Sequence, residues 1–261
     1  MMNIIKTKQE IKKMRIAGKC AAVIIDEIEK YIEPGITTER INNICNKLII
    51  EQKAKSACLG YKGFPKSICT SVNEVVCHGI PSEKQVLKRG DIINIDITVI
   101  KNGYHGDTSK MFFVGEYNKL GKKLCEKTKK SLYEAIKIIK PGIRLNQIGK
   151  SIQNYIANTK FSIVKEYCGH GIGKFFHEYP QVLHYEAYDN ELILKPGMTF
   201  TIEPMINSGK PQTKCIEDGW TVITKDKSLS AQYEHTILVT EEGCEILTLN
   251  KTDTINKIIR S

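Results

Sequence analysis

Between Asp91 and Ile100 the chain alternates, with Ile93, Ile95, Ile97 and Val99 apolar and Asn94, Asp96 and Thr98 polar between them. A period of two marks a strand with one buried face. Asn102-Gly103 follows, a dipeptide suited to two-residue hairpin turns because both positions take positive φ, and Tyr104 to Val114 reads as the returning strand. In that register Lys101 faces Tyr104, Thr98 faces Asp107 and Asp96 faces Ser109. Asp96 and Asp107 then sit diagonally on the polar face, about 7–8 Å apart at the backbone. Elsewhere the period lengthens. Ile11 to Tyr31 and Thr37 to Lys53 read as amphipathic helices separated by Pro34-Gly35, and Asn118 to Ile139 and Asn146 to Ala157 repeat the arrangement around Pro141-Gly142. Further strands are expected at Thr199 to Ile206, Thr221 to Thr224, His235 to Thr240 and Glu245 to Leu249. The helices should cover one face of an antiparallel sheet and leave the other for a site.

Two acids on an isolated hairpin read better as a solvated sheet face than as a site. An internal repeat changes that. Lys30-Tyr-Ile-Glu-Pro-Gly-Ile36 followed by Ile41 recurs as Lys137-Ile-Ile-Lys-Pro-Gly-Ile143 followed by Ile148, a constant offset of 107. Leu87-Lys88 and Gly90 recur at that offset as Leu194-Lys195 and Gly197, and Ile95-Asp96 falls on Ile202-Glu203. The second acids, Asp107 and Glu234, align at an offset of 127 if the later half has a longer connection between its strands. A repeat of this length implies two similar α/β halves whose strands join in one sheet around a pseudo-twofold axis. The expectation is a single domain over 1–261, with halves at roughly 7–115 and 116–250.

Composition narrows the class. With 261 residues, 41% of them hydrophobic, the chain has material for a substantial core. No apolar run approaches the roughly 18 residues of a membrane span, and the beginning lacks the apolar centre of a secretory signal, so a cytoplasmic protein is expected. The nine cysteines are odd in number and contain no Cys-x-x-Cys spacing, which fits reduced thiols rather than disulfides or structural zinc. The net charge of +10 comes from abundant lysine. In a chain rich in Ile, Lys and Asn throughout, it points to compositional bias more than to a nucleic-acid-binding module.

Asp96, Asp107, Glu203 and Glu234 together with His170 suit a pair of divalent first-row cations, because carboxylates bridge two ions and an imidazole biases the site toward transition metals. His170 and His177 lie in Tyr167-Cys-Gly-His-Gly-Ile-Gly-Lys-Phe-Phe-His-Glu-Tyr-Pro180, where glycines permit close backbone approach. This is not a phosphate-binding loop, since Lys174 is followed by Phe175 rather than Ser or Thr.

Four segments carry a resemblance: Asn94-Ile-Asp-Ile with Gly106-Asp-Thr, Gly169-His-Gly-Ile-Gly with Phe176-His-Glu, Thr201-Ile-Glu-Pro, and Gln232-Tyr-Glu-His-Thr. In this order the chain resembles the short, type I methionine aminopeptidases of bacteria, almost from end to end. The resemblance implies an α+β "pita-bread" fold, with pseudo-twofold α/β halves sharing a curved, mainly antiparallel sheet and helices on its outer face. It implies removal of the initiator methionine from nascent polypeptides by a metal-bridged hydroxide that attacks the scissile carbonyl. Two divalent ions, such as Fe(II), Mn(II) or Co(II), are implied. Asp107 and Glu234 would bridge both, Asp96 would bind one, and His170 and Glu203 the other. Glu203 would also shuttle a proton, His177 would steady the oxyanion and His78 would handle the departing amine. The methionine slot falls on Cys58, Tyr61, Phe64, Cys69, Phe176 and Trp220, with Phe64 standing where many relatives carry tyrosine. Ordinary core packing is an equal account of those six from residue type alone. The family often holds a monovalent cation through backbone carbonyls near Asn73, Val75 and Ser230. His105, His184 and His235 receive no chemistry and read as structural or exposed.

Aminopeptidases and dipeptidases acting before proline share the fold and ligands, but they usually carry an additional N-terminal domain, for which the metal framework here starts too early. The short spacing from Phe161 to Ile206 leaves no room for a type II insertion. A catalytically inactive, partner-binding relative would ordinarily have lost ligands, and all five are present. A monomer is expected, with no membrane partner, and the basic surface motivates a possible association with the ribosome.

Overall fold

In the computed structural model, residues 4–187 and 192–260 are described; the extreme ends of the expected 1–261 domain lie outside them. Helix α1 spans Lys8–Ile28 and opens with a capping box: the Thr7 side chain accepts from the Glu10 N–H, and the Glu10 carboxylate accepts from the Thr7 N–H. Helices α2 (Thr38–Glu51), α3 (Lys119–Lys137) and α4 (Asn146–Ala157) complete the set expected from the helical period.

The expected hairpin forms from β4 (Ile92–Lys101) and β5 (Tyr104–Phe113), after three short strands, β1 (Lys55–Ser56), β2 (Cys69–Val72) and β3 (Val75–Cys77). Its register pairs Lys101 with Tyr104, Thr98 with Asp107 and Asp96 with Ser109. Ile93, Ile95, Ile97 and Val99 are fully buried in a cluster with Ile24, Ile25 and Ile28 of α1 and Ile41, Cys45 and Ile49 of α2. Each such side chain is worth about 1.5–3 kcal/mol when buried. A one-residue slip would expose all four, at roughly 6–12 kcal/mol, and turn Asp96 into the core. The apolar face therefore fixes which way the acid points.

Along the chain follow β6 (Ser162–Ile163), β7 (Gly169–Gly171), β8 (Glu178–Val182), β9 (Thr199–Ile202), β10 (Met205–Asn207), β11 (Thr213–Cys215), β12 (Val222–Thr224), β13 (Ser230–Gln232), β14 (Glu234–Val239), β15 (Gly243–Ile246) and β16 (Ile258–Arg260). The main sheet has the order β1-β4-β5-β14-β9-β7-β8, with β2 also on β4 and β15 and β16 beyond β14. All its pairings are antiparallel. Its centre, β4-β5-β14-β9, is symmetric about the β5–β14 junction, with hairpin strands from one half beside their counterparts from the other.

The hydrogen bonds repeat as the sequence does. Gly35 N–H donates to Leu87 O at 2.8 Å, and Gly142 N–H to Leu194 O at 2.9 Å. The isolated bridges Thr37–Val86 and Arg144–Ile193 stand at the same offset of 107. On the inner strands the ladder departs from the offset of 127. Ile95 pairs with Lys110 and Ile202 with His235, so inner-strand counterparts lie 125 apart and Glu234 corresponds to Ser109 rather than Asp107. A shift of two leaves every side chain on its original face. Glu234 still points where Asp107 points, one step along the strand.

One expected strand is divided. Thr199 to Ile206 begins as β9 in the main sheet, leaves it at Glu203-Pro204 and continues as β10 in a separate sheet with β13 and β6. Pro204 has no N–H to contribute to a ladder, which favours a break there. The break frees Glu203 from the plane of the sheet.

Candidate metal centre and substrate cavity

The polar face of the main sheet forms the floor of a cavity of about 380 Å³. Asp96, Asp107, His170, Glu203 and Glu234 all line it, as do His78, His177 and all six of the expected methionine-slot residues. Ligand atoms of Asp107, His170 and Glu234 lie within 4.8 Å of one another. His170 Nε2 is 3.6 Å from Asp107 Oδ2 and 3.7 Å from Glu203 Oε1. Asp96, opposite Ser109 and thus one diagonal step from Asp107, occupies the other end.

These side chains are oriented by neighbours. Thr98 Oγ1 donates to Asp107 Oδ1 at 2.7 Å and Thr201 Oγ1 to Glu203 Oε1 at 2.8 Å. Gln232 Nε2 holds the second Glu203 oxygen at 3.2 Å. His170 Nδ1 lies 3.0 Å from Gly171 O, and a proton donated there leaves Nε2 as the free ligand atom. A Cβ on Gly169 would come within 2.4 Å of Thr201 O, and one on Gly171 within 2.2 Å of Tyr179 O. Only glycine on both sides lets the strand bearing His170 lie this close to its neighbours.

Four carboxylates in one enclosure repel, and burial withholds the water that would screen them. Burial first, then neighbouring Asp107, holds Asp96 and Glu234 well above the usual carboxylate range. Glu203 is pushed up to about 7, chiefly by burial, with His170 pulling the other way. Asp96 Oδ1 is buried with no hydrogen-bond partner. Such a cluster fits bound cations, whose charge would relieve the repulsion and whose coordination would use the orphaned oxygen.

Burial, followed by repulsion from His170, lowers His177 to about 3, so its imidazole is neutral near pH 7. His78 is lowered too, mainly by burial, and adopts a left-handed backbone at φ 56°. It lies edge-on to Trp220 and Tyr167, with centroids at 6.1 and 5.7 Å. Strand pairing explains the first contact: β3 and β12 match Cys77 with Val222, bringing the residues around them together.

The apolar end is one cluster: Cys58, Phe64 and Cys69 are buried, and Phe176, Trp220 and Ile80 pack on them. Phe64 meets Trp220 edge-on at 5.2 Å, and Tyr61 reaches Phe176 at 4.9 Å. Asn73, Val75 and Ser230 lie outside the cavity, where Ser230 N–H donates to Asn73 O at 2.8 Å. His105, His184 and His235 are all buried. His184 Nε2 accepts the Glu203 N–H at 3.2 Å, a supporting role that nothing around His184 in the sequence signals. Lys62, Glu166, Tyr167, Cys168 and Met205 also line the cavity, although sequence reasoning did not single them out. Tyr167 and Cys168 sit just before the glycine-rich segment, and that adjacency was the available signal.

Residues 12–241 match the model of metallopeptidase family M24. The chain belongs to family M24. A methionine aminopeptidase of Buchnera aphidicola subsp. Acyrthosiphon pisum is 62% identical over 258 residues, covering 98% of each chain. The crystal structure of a methionine aminopeptidase from Rickettsia prowazekii superposes with a TM-score of 0.92 at 50% identity, covering 95% of this chain and 100% of that one. The prolidase from Pyrococcus furiosus shares the fold at a TM-score of 0.74 and 24% identity, and this chain spans only 66% of it. Within M24, then, the chain is a metallopeptidase of the type I methionine aminopeptidase group, with the pita-bread fold and a donor set for divalent metal. No described helix is long and apolar enough to cross a membrane.

Proposed function

We propose that the chain removes methionine from polypeptide N-termini, and that Asp96, Asp107, His170, Glu203 and Glu234 hold two divalent cations for this hydrolysis. The observation that carries the reading is a single cavity joining those five side chains to a sulfur- and aromatic-lined slot. When bound, the ions supply an acidified water and a polarised carbonyl. Asp107 and Glu234, on adjacent inner strands, would bridge. Asp96 would serve one ion, and His170 with Glu203 the other, so one position is all-oxygen and one includes nitrogen.

Glu203, near neutrality in its proton affinity, can take a proton at a carboxylate oxygen and return it to the departing amine. His177, being neutral, donates an N–H to the oxygen that gains charge without adding a cation to the site. His78, beside Trp220 and Tyr167, steadies the amine as the peptide bond breaks. Cys58, Cys69, Phe64, Tyr61, Phe176 and Trp220 enclose a thioether, to which aromatic rings and sulfur are attracted. Fe(II), Mn(II) and Co(II) all suit the donor set. A monovalent cation on the carbonyls of Asn73, Val75 and Ser230, a monomeric state, and a cytoplasmic location near ribosomes complete the proposal. Salt-insensitive sedimentation apart from ribosomes would remove that last element.

The deciding experiment gives metal-depleted protein Met-Ala-Ser and an X-Pro peptide, then restores Fe(II), Mn(II) or Co(II). Methionine release from the first peptide is expected. Turnover of neither peptide with any ion would end the enzyme reading, and preference for X-Pro would end the specificity.

A further inference from the structure

We propose that Lys6 and Glu178 are positioning residues for His177, forming a buried ionic clamp that ties the loop bearing His177 to the N-terminal segment. The inference rests on His177 acting at the scissile carbonyl, as proposed above. His177 ends the loop between β7 and β8, in which residues 172–177 form neither helix nor strand. Such a loop needs anchors if its imidazole is to meet a reacting oxygen within a fraction of an ångström.

Glu178, directly after His177, supplies one. Its Oε2 pairs with Lys6 Nζ at 2.6 Å, and its Oε1 accepts the Phe175 N–H at 2.9 Å. The side chains are only 4% and 5% exposed. Both carboxylate oxygens are thus committed, one to each side of the bend. Lys6 is itself fixed by its N–H, which donates to Gly197 O at 2.8 Å, beside the isolated Ile5–Met198 bridge just before β9. The loop's other end is held by His105, whose N–H donates to Gly173 O at 2.9 Å and whose Nδ1 lies 3.1 Å from the same oxygen. Gly173 packs directly on the clamp: a Cβ there would lie 2.5 Å from Lys6 Cε and 2.9 Å from Glu178 Oε1, so a larger residue would displace the paired side chains. None of Lys6, Glu178 or His105 lines the cavity, so the clamp acts through His177 rather than on substrate.

Removing one partner of a buried ion pair strands a charge, whereas neutralising both does not. The test therefore uses K6M/E178Q, in which the amide oxygen that replaces the Glu178 carboxylate can still accept the Phe175 N–H, with K6R as the conservative variant. Each is assayed on Met-Ala-Ser with Mn(II), in the wild-type background and with His177→Ala. K6M/E178Q should lose about tenfold or more in kcat/KM, less than the roughly 10²–10³-fold expected of H177A, with Mn(II) stoichiometry unchanged. K6R should recover most of the loss. With His177→Ala present, K6M/E178Q should change kcat/KM by less than about twofold, because the group being positioned is gone. Wild-type rates in K6M/E178Q, or an equal loss in both backgrounds, would overturn the clamp. If K6M/E178Q does not fold, E178Q alone decides in the same cycle: wild-type rates, or a loss that persists undiminished with H177A, refute the proposal, and a loss that disappears with H177A supports it. Failure of the wild-type protein on Met-Ala-Ser would instead reject the aminopeptidase reading, and wild-type rates in H177A would reject the role of His177.

Discussion

The two halves of the sheet share a scaffold and differ in what they add to it. In the first, β4 and β5 are ten residues each and turn directly through Asn102-Gly103. In the second, β9 stops after four residues at Ile202, and the chain builds β10 to β13 before returning as β14. Each half contributes two acids to one cavity, and each fixes one acid with a threonine: Thr98 on Asp107 and Thr201 on Glu203. Of the five proposed ligands only His170, from the second half, offers a nitrogen, and Trp220 arises from that half's long insertion. A duplicated frame can place like ligands by symmetry; chemical inequality has to come from what breaks it.

The largest test of this comparison removes one inner acid from each half. Asp107→Asn and Glu234→Gln should each abolish turnover and reduce Mn(II) uptake together, by calorimetric titration. Full activity in either would show that the halves do not share the metals. The supporting threonines should matter less and similarly. Thr98→Val and Thr201→Val are each expected to weaken Mn(II) binding by about 10–100-fold, and an effect confined to one half would locate the dominant ion there.

Protonation gives a gentler probe. Glu203 is raised to about 7, and Asp96 and Glu234 are raised as well. Acids with raised folded-state pKa values stabilise the metal-free fold below their ordinary range near 4, and that contribution fades as pH climbs through 7. The lowered His78, His177 and His184 act oppositely, contributing stability above about 6.5 that is lost as pH falls. Metal must displace the protons on the acids, so Mn(II) affinity should strengthen as pH rises toward 7. Calorimetry in buffers of different ionisation heat should detect proton release near pH 6; no release would mean the acids are already ionised. The smallest effect concerns the matched turns. Gly35 and Gly142 have φ of 96° and 90°, with nothing within 4 Å of an added Cβ. Alanine at either should therefore lower stability by backbone strain alone, about 1–2 kcal/mol, seen as a fall of a few degrees in Tm. Unequal losses would show that the two turns bear different loads.

Much of the site was legible because it is local. The Asn102-Gly103 turn and the Ile93-to-Val99 alternation set the hairpin register, and that register puts Asp96 and Asp107 on one face. The offset of 107 made Glu203 the counterpart of Asp96, and the matching Gly35–Leu87 and Gly142–Leu194 hydrogen bonds agree with it. The inner-strand offset of 127 was two residues too long: a shift of two keeps every side chain on its face, so only the ladders, Ile95 with Lys110 and Ile202 with His235, separate 127 from 125. Strands as short as β3, β7 and β13 carry too few positions for a period to register, so the two three-stranded sheets, β13-β10-β6 and β11-β12-β3, were not readable as sheets from pattern. His184 reads as structural or exposed from sequence, and its contact with the Glu203 N–H is set by two segments meeting 19 residues apart.

The sequence by itself determined the four helices, the long hairpin, the repeat, the shared face of Asp96 and Asp107 and, through motif order, the family resemblance, because period, turn chemistry and motif spacing are properties of neighbouring residues. Tertiary structure alone decided that His170 Nε2 comes within 3.7 Å of Glu203 and that Lys6 meets Glu178 across 172 residues. Those contacts depend on how strands stack across the sheet and where glycine lets them approach, and neither is written in any one segment.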